Sequence, residues 1–300
     1  LSKEKKLSNK QPIDKLALHQ IAGAYQQFYE RTTDTNPYRL QALKKKAGIM
    51  AYQLNEPDTA IKILEKLRNL PGITRTFKAQ VKMDLRNINM IIGNKWEASL
   101  LYSQIEKDNP YTAMAYEAKL KNARLHYFMS NFDLAKSHLD ILKRSTTKEI
   151  ANDALDLSLF IETNTMGDSN ELGLMEYANI SLLMYQNRFD EARVKLEILI
   201  NTQLGHPIRD DGFWLLAKLD KRMGKYQKAL NSLNTLINEY SEGVLGDDAL
   251  FMKAQILEEY LDNRSEAKQA YQQFLESFPG SAYAVEARRR FRILRGDELN

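Results

Sequence analysis

One short pattern recurs along the chain at a nearly constant interval, and it limits the fold more than any other feature. An entry residue, often aromatic, stands two or three positions before an alanine that opens an apolar run. The alanines of the six copies are Ala60, Ala98, Ala135, Ala192, Ala229 and Ala267. Their spacings are 38, 37, 57, 37 and 38 residues. Such a period predicts a repeat protein in which each unit packs on the next.

The residues around each alanine indicate the type of element. Larger apolar residues follow four and seven positions later, as Leu233 and Leu236 follow Ala229. These spacings lie on one face of an α-helix, and the small alanine allows close approach to the preceding helix. An earlier apolar run ends at Gly or Asn in four copies, namely Gly93, Asn131, Asn187 and Gly224. Because Gly and Asn tolerate the left-handed conformation, each unit is predicted as helix A, a tight turn and helix B.

The composition favours an all-α chain. Only 13 Gly and 7 Pro occur in 300 residues, few for a sandwich or barrel that turns about every ten residues. The hydrophobic share of 43% is enough for a continuous core. Pro71, Pro110 and Pro279 fall where the chain leaves a helix B for the next unit. Proline cannot continue a helix, so these breaks agree with the period.

The interval between Ala135 and Ala192 is 57 residues, about one helix longer than the usual 37. We assign the excess to an extra helix over Lys148–Glu162, followed by a polar loop over residues 163–170, and we expect the array to bend there. The predicted organisation is therefore an N-terminal array over 1–145, the extra helix and loop over 146–170, and a C-terminal array with a capping helix over 171–300.

The helix A apolar run, the small turn residue, the entry residue with its alanine and the late proline together resemble the tetratricopeptide repeat family over about residues 36–295. The resemblance implies a right-handed α-solenoid of about six helix-turn-helix repeats, with the extra helix near 148–162 and a terminal capping helix. Residues 270–287 resemble units of Gram-negative envelope proteins, including those of outer-membrane assembly and the Tol-Pal system. Residues 118–164 resemble a large, uncharacterised group of such bacterial proteins. Units such as 81–92 match the family by spacing more than by residue identity.

No pattern in the sequence indicates catalysis, a cofactor or a metal. The absence of cysteine excludes disulfides, thiolate metal sites and a cysteine nucleophile. The four histidines, His19, His126, His138 and His206, have no partner at the spacing that would place two imidazoles on one helix face. The sequence also lacks a Gly-x-Ser-x-Gly elbow and a phosphate-binding glycine loop. We therefore predict a non-enzymatic protein with no cofactor, no metal and no catalytic residue.

Acidic pairs occur at Asp210–Asp211, Asp247–Asp248 and Glu258–Glu259. A general acid and base need opposed carboxyl groups in a cleft, whereas these pairs fall at predicted helix starts or on solvated faces. We interpret the aspartate pairs as helix caps that complement the helix dipole. The run Arg288–Arg292 has two interpretations. It is either a basic docking patch or the solvent-exposed face of a terminal capping helix.

Charge and hydropathy bear on partners and location. The net charge of +4, from 43 basic and 39 acidic residues, does not favour nucleic acid. No stretch of 18 apolar residues exists, so we expect no direct membrane insertion. The chain begins at Leu1 with a polar segment, and we interpret it as a fragment or processed form whose true N-terminus is missing, with a targeting signal there as one option. The resemblance implies the periplasm or cell envelope of a Gram-negative bacterium, with a lipid anchor as one option.

The resemblance implies that the A helices line a concave binding surface. Counting back from each alanine gives the candidate residues Arg124, Tyr127, Phe128, Tyr177, Tyr185, Trp214, Lys218, Lys221, Arg222, Phe251, Gln255 and Glu258. Aromatic rings interleaved with Lys and Arg suit an acidic or extended peptide. In the competing interpretation the aromatics belong to the core and the charges only solubilise an exposed helix.

Three functions are consistent with these patterns. The first is a protein-protein interaction scaffold or adaptor that binds a protein or peptide on the concave face, within a bacterial envelope complex. The second is a structural or assembly segment of a larger lipid-anchored protein. The third and weakest is the helical-repeat part of a cell-wall enzyme, such as a superhelical lytic transglycosylase, although no non-repeat segment is large enough for a catalytic domain. The sequence leaves the oligomeric state open.

Overall fold

The computed structural model describes residues 15–144, 148–166, 171–240 and 243–297, and within them every regular element is an α-helix. The helices are α1 (Lys15–Arg31), α2 (Arg39–Tyr52), α3 (Pro57–Arg68), α4 (Arg75–Ile91), α5 (Lys95–Asp108), α6 (Ala113–Phe128), α7 (Phe132–Leu142), α8 (Lys148–Thr165), α9 (Leu172–Tyr185), α10 (Phe189–Thr202), α11 (Ile208–Arg222), α12 (Tyr226–Glu239), α13 (Gly246–Glu259), α14 (Arg264–Ser277) and α15 (Ala284–Arg295). The chain divides into two compact units, unit 1 (Leu1–Ser158) and unit 2 (Leu159–Asn300). The all-α prediction is confirmed.

Each unit is a stack of helical hairpins. Unit 1 has the pairs α2–α3, α4–α5 and α6–α7, and unit 2 has α9–α10, α11–α12 and α13–α14. Within each unit, each pair packs against the next. The six marker alanines lie in the second helix of each pair, and all are 0% exposed. Because only a methyl group stands between the helices, they can approach closely. The prediction of about six repeats of helix A, turn and helix B is therefore confirmed.

The turn from helix A to helix B contains one residue of positive φ in every hairpin. These residues are Asn55, Gly93, Ser130, Asn187, Gly224 and Asp262. Three of the four predicted turn residues are thus correct, but the prediction of Asn131 was wrong by one position. Ser130 has φ 60°, whereas Asn131 has φ −89° and precedes the first residue of α7. Asn131 directly precedes α7 and must lead into that helix. The left-handed residue is therefore the one before it, Ser130.

The extra helix exists as α8, and it runs three residues beyond the predicted end at Glu162. The Asn164 Nδ2 donates to the Phe160 carbonyl at 3.0 Å, and the Thr165 Oγ1 donates to the Ile161 carbonyl at 3.0 Å. These bonds and the burial of Asn164 hold residues 163–165 in the helix instead of the predicted loop. Residues 167–170 of that loop lie outside the described residues, and the bend stays a prediction.

The first helix, α1, was not predicted because it carries no repeat marker. Its buried residues Leu18 and Ala22 pack against the α2 and α3 core of unit 1. Their spacing of four residues is a helical signal, but a single pair is too short to distinguish a helix from a polar leader.

The capping helix α15 is fixed to unit 2 by an ion-pair network. Arg290 contacts Glu258 at 3.2 Å, Glu259 at 3.3 Å and Glu286 at 2.9 Å. The Tyr271 hydroxyl donates to Glu258 at 3.0 Å, and burial together with this carboxylate raises the pKa of Tyr271. Part of the arginine run is therefore engaged within the protein, as a capping helix requires.

Two histidines face each other inside the last hairpin of unit 1. The rings of His126 on α6 and His138 on α7 stack with centroids 5.4 Å apart and planes within 6°. Burial lowers the pKa of both, the neighbouring imidazole adds to the effect at His126, and Lys119 adds to it at His138 while Glu106 opposes it. The folded pair is thus held in its neutral form.

This pair should make unit 1 less stable in acid. Because the folded pKa values lie below the unfolded value of 6.5, the unfolded chain binds more protons, and stability present at pH 7 is lost as the pH falls through the folded pKa values. We expect unit 1 to lose stability between pH 7 and pH 5, and to lose less of it in His138→Gln. Hydrogen exchange of α6 and α7, corrected for intrinsic rates, measures this. His19→Gln, at an exposed site, is the control, and an equal acid loss in His138→Gln would contradict the assignment.

Candidate protein-binding surface

Helix α11 separates an apolar face from a face of aromatic and basic residues. Leu216, Ala217 and Leu219 are buried, whereas Lys218 is exposed and Trp214 is half-buried. Positions four residues apart share one side of a helix, so Trp214 and Lys218 lie next to each other. Lys218 therefore lies away from the core, whereas Trp214 stands at its edge and packs in part against it.

Each of the three cations predicted on α11 lies over an aromatic ring. The pairs are Lys218 over Trp214 at 5.5 Å, Lys221 over Tyr260 at 5.6 Å and Arg222 over Phe189 at 4.4 Å. Cation–π contacts of this length restrain long side chains without removing their charge. The basic groups are therefore held in position before any ligand arrives, which lowers the entropy cost of binding.

These contacts join the ends of neighbouring A helices. Arg222 also donates to Asn187 Oδ1 at 3.3 Å, in the turn that follows α9. Lys221 reaches the residues that follow α13, and burial lowers the pKa of Lys221 while Glu259 opposes that shift. The half-buried Lys221 ammonium is the least hydrated cation of the set, so a carboxylate ligand would pair with it more strongly than with a fully exposed lysine.

Three of the predicted aromatic residues belong to the core. Tyr127 is 4% exposed, Tyr177 is 8% exposed and Phe251 is 7% exposed. The ring of Phe251 stacks on Tyr283 at 4.7 Å, and the ring of Tyr177 packs on Phe160 at 5.1 Å. The competing interpretation of core aromatics describes these three. Counting back from the marker alanine gives the position of a residue along helix A. It does not show which neighbouring element covers the side chain.

Three further candidates have partners within the protein. Arg124 is exposed and pairs with Asp153 on α8 at 2.7 Å. Phe128 is half-buried with its ring 5.7 Å from that of Tyr127, and Glu258 is held by the capping network. The remaining candidates, on the three A helices of unit 2, form what we name the A-helix face. It consists of Tyr185, Trp214, Lys218, Lys221, Arg222 and Gln255.

The acidic pairs do more than begin helices. The interpretation of the aspartate pairs as helix caps was wrong, because the N-cap residues of α11 and α13 are Pro207 and Leu245 and neither makes a side-chain cap bond. Both pairs lie inside the first turn, where Asp210 Oδ1 accepts from the Asp211 amide at 2.9 Å and Asp247 Oδ1 accepts from the Asp248 amide at 2.8 Å. Asp248 also accepts from the Tyr283 hydroxyl at 2.8 Å, which ties α13 to the loop before α15. The sequence could not show this second role because Tyr283 lies 35 residues away.

Asp211 differs from the other members of these pairs. Its Oδ2 accepts from Asn164 Nδ2 on α8 at 3.2 Å. Burial and the adjacent Asp210 charge raise the pKa of Asp211 to about 7, and the Asn164 bond only partly opposes them. This perturbed carboxyl was missed because the main cause of its raised pKa is burial, which the sequence around Asp211 does not show.

Within the described residues, no three His, Asp or Glu side chains form a group able to hold a metal ion. None of the described helices is long and apolar enough to cross a membrane. The A-helix face offers aromatic contact area and positive charge, which suit recognition of a peptide or protein surface.

A family model described as tetratricopeptide repeat matches residues 211–243 and 248–281. These stretches contain most of the α11–α12 and α13–α14 hairpins, so the match falls on unit 2 and includes Trp214, Lys218 and Gln255. No curated protein sequence matches the chain.

Two solved structures are similar over nearly the whole chain. One is a tetratricopeptide repeat protein from Parabacteroides merdae, with 14% identity, a TM-score of 0.37, and 95% of this chain and 94% of that chain covered. The other is the C-terminal part of a repeat-containing protein from Cytophaga hutchinsonii, with 16% identity, a TM-score of 0.38, and 90% and 94% covered.

Proposed function

Because the chain is a tetratricopeptide repeat protein, we propose that it is a non-catalytic scaffold that binds a protein or peptide on the A-helix face of unit 2. Repeats of this family generally mediate protein-protein interaction. The observation that carries the proposal is the set of three cations held over aromatic rings on α11. Such restrained charges beside an accessible ring are typical of interface hot spots.

The chemistry of the A-helix face favours an acidic, extended ligand. Lys218 and Arg222 are exposed and Lys221 is half-buried, so carboxylates of a ligand could approach all three. Trp214 and Tyr185 supply flat contact area, and Gln255 supplies an amide for a ligand backbone. We infer a segment with spaced Asp or Glu residues rather than a folded apolar surface.

We place this activity in a complex of the bacterial envelope as part of the same proposal. Its support is the resemblance of residues 270–287 to repeat units of Gram-negative envelope proteins. Cell fractionation with an antibody against the chain tests the compartment. Recovery with cytoplasmic markers alone would refute this part and leave the peptide-binding part intact.

The binding proposal is tested by site-specific photo-crosslinking in extracts of the source bacterium. A crosslinking amino acid at position 218, on α11, should capture a discrete partner, while the same group at position 228, an exposed lysine on the B helix α12, should not. Mass spectrometry then identifies the partner. Equal capture at both positions would contradict the proposed surface.

Affinity measurements with the captured partner give the decisive result. We expect Trp214→Ala and Lys218→Glu each to weaken binding about tenfold or more, because hot-spot truncations typically cost 2 kcal/mol or more. Lys228→Glu makes the same charge change on an exposed B-helix position and should leave the affinity within about twofold. Unchanged affinity in both α11 variants would remove the A-helix face as the binding site.

A further inference from the structure

Two adjoining clefts of unit 1 open at the loop between α5 and α6, far along the chain from the A-helix face. The first has a volume of about 450 Å³ and the second about 550 Å³. Lys107 and Pro110 line both, so the two clefts adjoin at these residues and we treat them as two halves of one site. We name it the loop groove.

The first half of the loop groove is basic. Arg75, Lys78 and Lys107 line it, and all three side chains are exposed. In the part of the chain that the structure describes, none of the three forms an ion pair, whereas the lining Asp108 is bound by Lys82 at 2.6 Å. Three positive charges therefore face the groove against one carboxylate that is already neutralised.

The second half is aromatic and apolar. Pro110, Tyr111, Tyr116 and Ile141 supply this surface, and the rest of the lining is Ser103, Lys107, Ala115 and an ion pair of Lys119 with Glu106 at 2.8 Å. Tyr111 is 89% exposed and Ile141 is 55% exposed, large fractions for such side chains. Contiguous exposed apolar surface next to polar groups is typical of an interaction site.

Tyr111 also has an unfavourable backbone conformation. Its φ is 62°, in the left-handed region that side chains with a Cβ rarely adopt. Two other loops that lead from a helix B to the next helix A use glycine for this conformation, Gly72 at φ 76° and Gly205 at φ 82°. Tyr111 therefore occupies a position at which glycine would be less strained. Backbone strain of this kind is concentrated at functional sites.

The loop that carries Tyr111 is fixed on both sides. Asn109 Nδ2 donates to the Ile105 carbonyl at 2.9 Å. Thr112 Oγ1 donates to the Asn109 carbonyl at 2.7 Å and accepts from the Ala115 amide at 3.2 Å. The exposed ring is thus presented by an ordered turn, which reduces the entropy lost when a ligand packs on it.

We propose that the loop groove of unit 1 is a second peptide-binding site, which takes an extended acidic segment with its carboxylates on Arg75, Lys78 and Lys107 and a proline or leucine side chain between Tyr111 and Tyr116. The charge of the first half selects Asp and Glu. The aromatic half selects an apolar residue, and proline suits it because a pre-extended chain loses little entropy on docking between rings. This site does not depend on the A-helix face.

The test measures fluorescence polarisation of labelled dodecapeptides with the whole chain. The first peptide has three repeats of Asp-Glu-Leu-Pro, the second replaces Leu and Pro by Ser and Gly, and a labelled twelve-nucleotide oligo(dT) reports binding of any polyanion. The variants are Lys107→Glu and Tyr111→Gly in the groove, Lys62→Glu on an exposed face of α3 and Trp214→Ala on the A-helix face.

We expect saturable binding of the first peptide by the Trp214→Ala chain, in which binding through the A-helix face is weakened. In that background the binding should weaken at least tenfold in Lys107→Glu and in Tyr111→Gly and stay unchanged in Lys62→Glu. Tyr111→Gly should keep or raise the melting temperature, because glycine relieves the left-handed φ, so lost binding cannot be ascribed to unfolding. The proposal is overturned if the first peptide does not bind at millimolar concentration, if the second peptide or oligo(dT) binds as tightly, or if only Trp214→Ala abolishes binding.

Discussion

Replacement of Arg193 by alanine should destabilise unit 2 by about 3–5 kcal/mol. Arg193 on α10 contacts Asp220 on α11 through Nε at 2.7 Å and through Nη2 at 3.3 Å. The Asp220 side chain is 1% exposed, and that of Arg193 is 13% exposed. Removal of the guanidinium would leave a buried carboxylate without its charged partner, and that is costlier than loss of an exposed pair.

Urea denaturation followed by tryptophan fluorescence measures this effect. The chain has two tryptophans, one in each unit, so Trp96→Phe makes Trp214 a reporter of unit 2. The control is Arg188→Ala, which removes an exposed pair with Glu191 at the start of the same helix and should change stability far less than Arg193→Ala does. Equal effects in the two variants would mean that the buried pair contributes nothing beyond a surface ion pair.

Periodicity along a single helix was enough to predict most of the fold. The positions of the six alanines predicted the hairpins and the extra helix. The apolar face of each helix depends on residues only three to seven positions apart, and such residues are neighbours in the structure as well as in the sequence. Helix α1 and the exact turn residue Ser130 escaped prediction. In α1 only Leu18 and Ala22 are buried, and in the turn the choice between Ser130 and Asn131 depends on backbone geometry that side chains do not dictate.

The candidate site was less predictable because its residues depend on contacts between elements. Trp214 and Lys218 were placed correctly on one side of α11, since that relation is local. Phe251 received the same assignment from the same count, yet Tyr283, 32 positions later, covers its ring. The loop groove likewise combines residues of α4, α5, α6 and α7. No periodic pattern reports such long-range neighbours.

Replacement of Asp211 by asparagine should stabilise unit 2 at pH 8 by up to about 4 kcal/mol. Burial and Asp210 raise the pKa of Asp211 to about 7 in the folded protein, against 3.8 as the ordinary value. The stability associated with the protonated form is therefore fully present below pH 3.8 and is lost as the pH rises through about 7. Asparagine can still accept the bond from Asn164, but it carries no charge to desolvate.

The pH profile distinguishes this cause from a general improvement in packing. The advantage of Asp211→Asn over the parent chain should be small near pH 4, grow towards pH 7 and level off at pH 8, as measured by urea denaturation with Trp214 as reporter. Asp190→Asn changes a 91% exposed carboxylate in the same unit and should show no such growth. A stabilisation of equal size at pH 4 and pH 8 would exclude the buried charge as its source, because a protonated Asp211 and an asparagine differ little in the cost of desolvation.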